Sequence, residues 1–188
     1  PGEQGARAIT EIIFGDINPS GKLPITFPKN VGQLPLFYSA KPSGRGKGYI
    51  ENDGSPLYPF GYGLSYTKFA FSNVSKSVND EGITLSLDIE NKGAYDGAEV
   101  LQVYLSGRNC DVVMPSKELK AYKRVFVSAG EVKTAELYLT REAFCYYDRN
   151  MKYGMHDGDY KVMIGTSCED FVNKREASVR SGRINLKD

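Results

Sequence analysis

From residue 68 onward apolar and polar side chains take turns. Ile83, Leu85, Leu87 and Ile89 alternate with Thr84, Ser86, Asp88 and Glu90, the period-two pattern of a strand with one buried face. Ala98 to Leu105 is more apolar throughout, as in a central strand. The alternation resumes in Leu119 to Val127 and in Ala135, Leu137 and Leu139, on either side of a Ser128-Ala129-Gly130-Glu131 turn. Residues 151–156 and 159–164 read as a hairpin closed by Asp157-Gly158, with Tyr160, Val162 and Ile164 pointing inward. Ala177 and Val179 share one phase, Ile184 and Leu186 the other, with Gly182 between them as a bulge. About seven short strands with regular turn signals predict a mainly β fold, an antiparallel β-sandwich of immunoglobulin type. Its expected core is Leu85, Leu87, Ile89, Leu101, Val103, Leu137, Leu139, Val162 and Ile164.

The first third reads differently. Ala8, Ile9, Ile12 and Ile13 make one apolar stripe at helical spacing, which predicts a helix over residues 4–14. Gly15 stands where a terminating glycine belongs, and Pro19 follows shortly after. Asn18-Pro19-Ser20-Gly21 is a turn, because proline fixes φ and glycine supplies positive φ. Leu23 to Phe27 reads as a short edge strand bounded by Pro24 and Pro28. Residues 29–67 show little periodicity and are rich in Pro, Gly, Ser and aromatics. So long a segment without its own pattern is expected to lie on a surface as a connector. The chain thus divides at 1–28, 29–67 and 68–188.

Composition narrows the function. The 188 residues carry a net charge of +1, too small a field to recruit nucleic acid or an anionic membrane, and no apolar run is long enough to span a bilayer. The three cysteines, Cys110, Cys145 and Cys168, are an odd and low count, read as free or buried thiols rather than a disulfide framework. One histidine, His156, with scattered cysteines does not make a zinc site, and no cofactor motif is present. The carboxylates Asp16, Asp148, Asp157 and Asp159 fall in turns or strand ends, where turn chemistry accounts for them. Gly44-Arg45-Gly46-Lys47-Gly48 lacks the spacing of a phosphate loop. Lys117, Lys120, Lys123 and Arg124 read as a solvated strand face.

The most informative run is Pro59-Phe60-Gly61-Tyr62-Gly63-Leu64-Ser65-Tyr66-Thr67. Its glycines permit tight turning or close approach, and its aromatics suit the grooves of a larger surface. It resembles the entry to the fibronectin type III-like domain of glycoside hydrolase family 3, the β-glucosidase and β-xylosidase group. Pro1-Gly2-Glu3-Gln4-Gly5, with Gly15-Asp16-Ile17-Asn18-Pro19-Ser20-Gly21-Lys22-Leu23-Pro24, is similar to the end of that family's second catalytic domain. Further likeness lies in Glu118-Leu119-Lys120-Ala121-Tyr122, Ala129-Gly130-Glu131, Phe144-Cys145-Tyr146-Tyr147-Asp148 and Gly158-Asp159-Tyr160. Ala121 and Ala129 depart from the usual glycine and proline.

The resemblance implies a C-terminal piece of an exo-acting retaining β-glycosidase that removes terminal β-linked glucose or xylose from oligosaccharides. It implies an aspartate nucleophile and a glutamate acid/base lying upstream, so no residue here is assigned a catalytic role. Residues 1–28 would be the end of the α/β sandwich catalytic domain, and its apolar helical stripe would pack on a sheet from upstream. The partners implied are the upstream domains of the same polypeptide and the oligosaccharide substrate, with no cofactor, metal, nucleic acid or membrane. Tyr58, Phe60, Tyr62 and Tyr66 would pack between domains, while Arg45 and Tyr49 are candidates for an outer sugar subsite. A periplasmic or secreted location is implied for the parent. The competing reading is a carbohydrate- or protein-binding sandwich module, which exposed, coplanar tyrosines on one sheet face would favour.

Overall fold

Alternation becomes burial in the computed structural model, which describes residues 2–43 and 53–186. Among the described residues the helix α1 (Gly5–Ile13) precedes ten strands: β1 (Phe69–Asn79), β2 (Gly82–Asn91), β3 (Gly97–Arg108), β4 (Glu118–Val127), β5 (Val132–Thr140), β6 (Cys145–Tyr147), β7 (Tyr153–Met155), β8 (Gly158–Gly165), β9 (Phe171–Arg180) and β10 (Arg183–Leu186). One sheet runs β1-β2-β5 and the other β10-β9-β8-β3-β4, while β6 and β7 form a separate ribbon. All described pairings are antiparallel.

The core lies between the two sheets. Ile83, Leu85 and Leu87 of β2 cluster with Leu101, Val103 and Leu105 of β3 and Tyr160, Val162 and Ile164 of β8, and these and Ile89 are all buried. Every side chain expected in the core is there. Each such burial stabilises the fold by roughly 1.5–3 kcal/mol before entropy is subtracted. The turn after β4 carries the chain from one sheet to the other. Gly130 adopts φ 74°, Glu131 N–H donates to Ser128 O at 2.9 Å, and the Glu131 carboxylate accepts from Ser128 N–H at 2.9 Å.

Three local expectations are corrected. Asp157-Gly158 does not close a hairpin. β7 pairs with β6 instead, and β8 pairs with β3 and β9. The turn that does the work is at 148–152: Asp148 Oδ1 accepts from Asn150 N–H and Lys152 N–H, both at 2.8 Å. Gly158 is needed for another reason, since a Cβ there would lie 2.7 Å from Cys110 Sγ. Gly182 is not a bulge. Ser181 and Gly182 have φ 50° and 73° and join Arg180 to its pair Arg183, a two-residue turn with both φ positive. That turn reverses the phase, so Ile184 and Leu186 sit opposite Val179 and Ala177 on one face. Leu23 to Phe27 is no strand. Pro24 and Pro28 have no N–H to donate, and a single bridge, Phe27 to Tyr58, remains.

The helix is close to expectation. Gly15, at φ 82°, ends it, with its N–H donating to Ile12 O at 3.1 Å. None of its residues is buried.

Candidate inter-domain interface

β3 is apolar on both faces because the sheet is covered on both. Its inner face meets the core, and its outer face meets the connector. On that outer side Tyr104 is fully buried in a cluster with Met163, Cys168, Tyr38, Phe60, Leu119 and Phe171. Tyr38 stacks on Phe60 with centroids 4.0 Å apart and planes 12° apart, and Tyr104 meets the rings of Tyr38 and Phe171 edge-on. Burial pushes the Tyr104 phenol far above its usual pKa, and burial also raises the Cys168 thiol. All three cysteines are free.

Gln102 organises this contact. It is 3% exposed, and its amide donates to Gly61 O at 3.1 Å and to Thr166 O at 2.6 Å while its oxygen accepts from Tyr104 OH. Gly61 has φ 81°, and a Cβ there would collide with the Gln102 amide. The aromatic run is therefore held by its backbone as much as by its rings, and Phe60 O accepts from Cys168 N–H at 3.1 Å.

A second set of ties sits at the other end of the connector. Asn18 donates to Asp96 O at 2.8 Å and accepts from Ser65 Oγ and Tyr66 N–H, both at 2.9 Å. Asn91, 1% exposed, accepts from Thr67 Oγ1 and donates to Tyr95 O and Val127 O. Lys22 pairs with Glu99 at 2.6 Å with both side chains largely shielded, and Arg124 donates to Ser20 Oγ at 3.1 Å. Arg124 thus ties the sandwich to Ser20, whereas Lys117 makes its bonds within the sandwich. Lys117 lies mostly shielded, bonded to Cys168 O and to Glu169 at 2.9 Å. Lys117 is therefore not a solvated charge, while Arg124 stays exposed.

The same segment also carries apolar side chains that are exposed. More than half of the exposed large hydrophobic side chains among the described residues fall between Ile9 and Tyr66, including Ile13 at 69%, Phe14 at 78%, Val31 at 82% and Leu64 at 70% exposure. Segregation of this kind marks an interaction surface rather than scattered surface leucines.

The four aromatics singled out from sequence are divided by this geometry. Phe60 faces the sandwich. Tyr58 and Tyr62 stack on each other at 5.2 Å and 28°, and Tyr66 OH donates to Ile12 O at 2.6 Å, fastening α1 to the connector. Arg45 and Tyr49 lie outside the described residues. Of the turn carboxylates, Asp148 is held below the usual range by the Lys152 and Asn150 backbone, Asp159 pairs with Arg180 at 2.7 Å, and Asp157 accepts from Ser181 N–H at 2.8 Å. Gln102, Asn91, Asn18 and Tyr38 are not singled out by the sequence reading. A lone glutamine within the apolar run 98–105 is the signal that marks the first of them.

The two halves match known sequence patterns. Residues 1–66 match the glycosyl hydrolase family 3 C-terminal domain and residues 99–168 match the fibronectin type III-like domain. Among curated proteins the chain is similar to a putative beta-xylosidase of Formosa agariphila, 40% identical over 90% of this chain and 23% of that protein. It is also similar to a periplasmic beta-glucosidase of Salmonella typhimurium, 39% identical over 87% of this chain and 23% of the other. Among solved structures, a beta-glucosidase from Listeria innocua in complex with gluconolactone superposes with a TM-score of 0.86 at 37% identity, over 95% of this chain and 27% of that one. The chain therefore spans about a quarter of the length of the relatives it matches. The C-terminal-domain pattern runs through the aromatic connector and the fibronectin type III-like pattern follows it in the sandwich, and the chain belongs to glycoside hydrolase family 3.

Proposed function

We propose that this chain is the structural C-terminal part of an exo-acting retaining β-glycosidase that hydrolyses terminal β-linked glucose or xylose from oligosaccharides. Relatives named beta-xylosidase and beta-glucosidase support the reaction class. Such chemistry needs two carboxyl groups about 5 Å apart across one glycosidic bond, and both are assigned to the parent's upstream domains. The observation that carries the structural role is the two-sided connector: one side is bonded to the sandwich through Gln102, Asn18 and Asn91, the other exposes Ile13, Phe14, Val31 and Leu64. That open side is the docking face for the upstream domains of the same polypeptide. Residues 1–28 are read as belonging with those domains and 68–188 as the sandwich, joined by 29–67. A relative named as periplasmic supports a periplasmic or secreted location.

The binding-module reading is weaker. The exposed Tyr147 and Tyr153 rings are tilted by 50°, and the nearly parallel Tyr58 and Tyr62 pair lies on the connector rather than on a sheet face. The test is hydrolysis of aryl β-glucosides and β-xylosides by the purified chain and by the full-length protein. Turnover is expected from the full-length protein alone. Turnover by the chain that survives repurification and vanishes on Asp148→Ala would falsify the structural assignment.

A further inference from the structure

Residues opposite each other in an antiparallel pair project from the same face of the sheet. On β4, Tyr122, Arg124 and Phe126 stand opposite Gln102, Val100 and Ala98 of β3. Gln102 bonds the connector at Gly61 O, so these three β4 side chains belong to the outer face, the one that meets the connector. The intervening Lys123 stands opposite the core residue Leu101 and donates to Glu136 O of the facing sheet at 3.1 Å.

The connector covers only part of that face. Leu119 packs in the Tyr104 cluster with Tyr38 and Phe60. Tyr122, by contrast, is 72% exposed and Phe126 48%. Arg124 spends Nε on Ser20 Oγ at 3.1 Å, and its two terminal amino groups have no partner among the described residues. The segment it grips also touches the connector, since a Cβ on Gly63 would collide with Gly21 O. Ser20 and Gly21 therefore join two sets of exposed apolar side chains, Tyr122 and Phe126 on β4 and Leu64 on the connector.

Tyrosine, arginine and phenylalanine are enriched at protein interfaces, and tyrosine and arginine carry much of the binding energy there. We propose that the outer face of β4, through Tyr122, Arg124 and Phe126, docks on the upstream part of the same polypeptide, which offers a carboxylate to Arg124 and apolar pockets to the two rings. This rests on the proposed docking of the connector and goes beyond it, because the contact comes from the sandwich itself. Two observations name the occupant. Arg124 is already bonded to the segment that matches the family 3 C-terminal domain, so a neighbour of that domain meets this face first. The chain spans about a quarter of its relatives' length, so proteins of that length hold ample chain to cover it. A carboxylate is the matching group because the guanidinium N–H pair takes it bidentately, and a covered arginine without a partner is costly.

The test is hydroxyl-radical labelling of Tyr122, Phe126 and Phe14 in this chain and in the full-length protein, each over a concentration series. All three are expected to label in the chain, and labelling of all three to be lost in the full-length protein. Equal labelling of Tyr122 and Phe126 in the two proteins overturns the proposal. If Phe14 still loses its label in that case, the docking of the connector stands and only β4 is removed from it. If Phe14 also labels equally, the underlying reading falls with the proposal. Protection of Tyr122 that disappears on dilution of the full-length protein names a second copy as the occupant and overturns the proposal too. The carboxylate is tested by Arg124→Glu and Arg124→Gln. The glutamate variant is expected to lower the melting temperature of the full-length protein more than the glutamine variant does, because it sets like charges together, while the two behave alike in the chain. Equal effects in the full-length protein overturn the assignment of a carboxylate to Arg124.

Discussion

Gln102 shows how much one amide can hold. Removing it leaves Gly61 O, Thr166 O and the Tyr104 hydroxyl facing a gap in a buried site, and unsatisfied buried groups each cost about 1–3 kcal/mol. Gln102→Ala is expected to lower unfolding free energy by about 2–4 kcal/mol in urea titration; a change below about 0.5 kcal/mol would show the amide to be dispensable. Several carboxylates act in the same local way. Hydrogen bonds from Tyr146 and from the Lys152 backbone hold Asp111 and Asp148 below their usual range, and those from Thr134 and Asn73 do so for Asp88. A carboxyl lowered in the folded state adds stability that is complete above its unfolded pKa and is lost as pH falls through the folded one. Melting temperature is therefore expected to hold steady near neutrality and to fall below about pH 4, with a shallower fall in Asp88→Asn. An equal acid slope in that variant would remove Asp88 from the explanation. These ties were largely illegible in the sequence, since Asn18 and Asp96, or Gln102 and Gly61, are joined only once the connector has been laid on the sheet. The glutamine within an apolar strand was the one visible cue.

Elements were more legible than contacts. Strands with a strict period-two pattern, β2 above all, follow directly from side-chain alternation, because one face must be buried and the other wetted. A turn signal misleads where its neighbours, not its own composition, decide the pairing. Asp157-Gly158 has the composition of a hairpin turn, yet its glycine serves close packing on Cys110, and Asp148 supplies the turn that closes β6 and β7. The connector is the element that pattern alone cannot resolve, because its order comes from the sheet beneath it. Phe60 is its anchor, stacked on Tyr38. Phe60→Ala is expected to cost about 1–3 kcal/mol and to lower the melting of the connector and of the strands together, as read by amide exchange. Loss of protection in residues 31–43 with the strands unaffected would show the two to be independent. In contrast α1 has no buried residue and is held chiefly through Tyr66 and Ile12. Short helices are marginal in water without packing, so its amides are expected to exchange much faster than those of β2 and β3 in dilute solution.

At the scale of the whole molecule, polar ties and apolar surface are kept apart. The sandwich is hydrogen-bonded to Asn18 and Gly61, while apolar side chains of α1 and the connector are exposed. The chain spans about a quarter of its relatives' length. On the proposed reading this face is covered in the full-length protein and open here. Ile13→Asp or Val31→Asp is accordingly expected to leave the melting of this chain nearly unchanged, within about 0.5 kcal/mol as for ordinary surface positions. The same changes should destabilise the full-length protein by about 2 kcal/mol or more, through an unpaired buried charge. Equal effects in both contexts would contradict the docking role. The most direct measurement is amide exchange of residues 5–17 and 31–37, compared between this chain and the full-length protein under the same conditions. The account predicts strong protection in the full-length protein and little in the chain, with β2 and β3 protected alike in both. Equal exchange of residues 5–17 and 31–37 in the two proteins would contradict it.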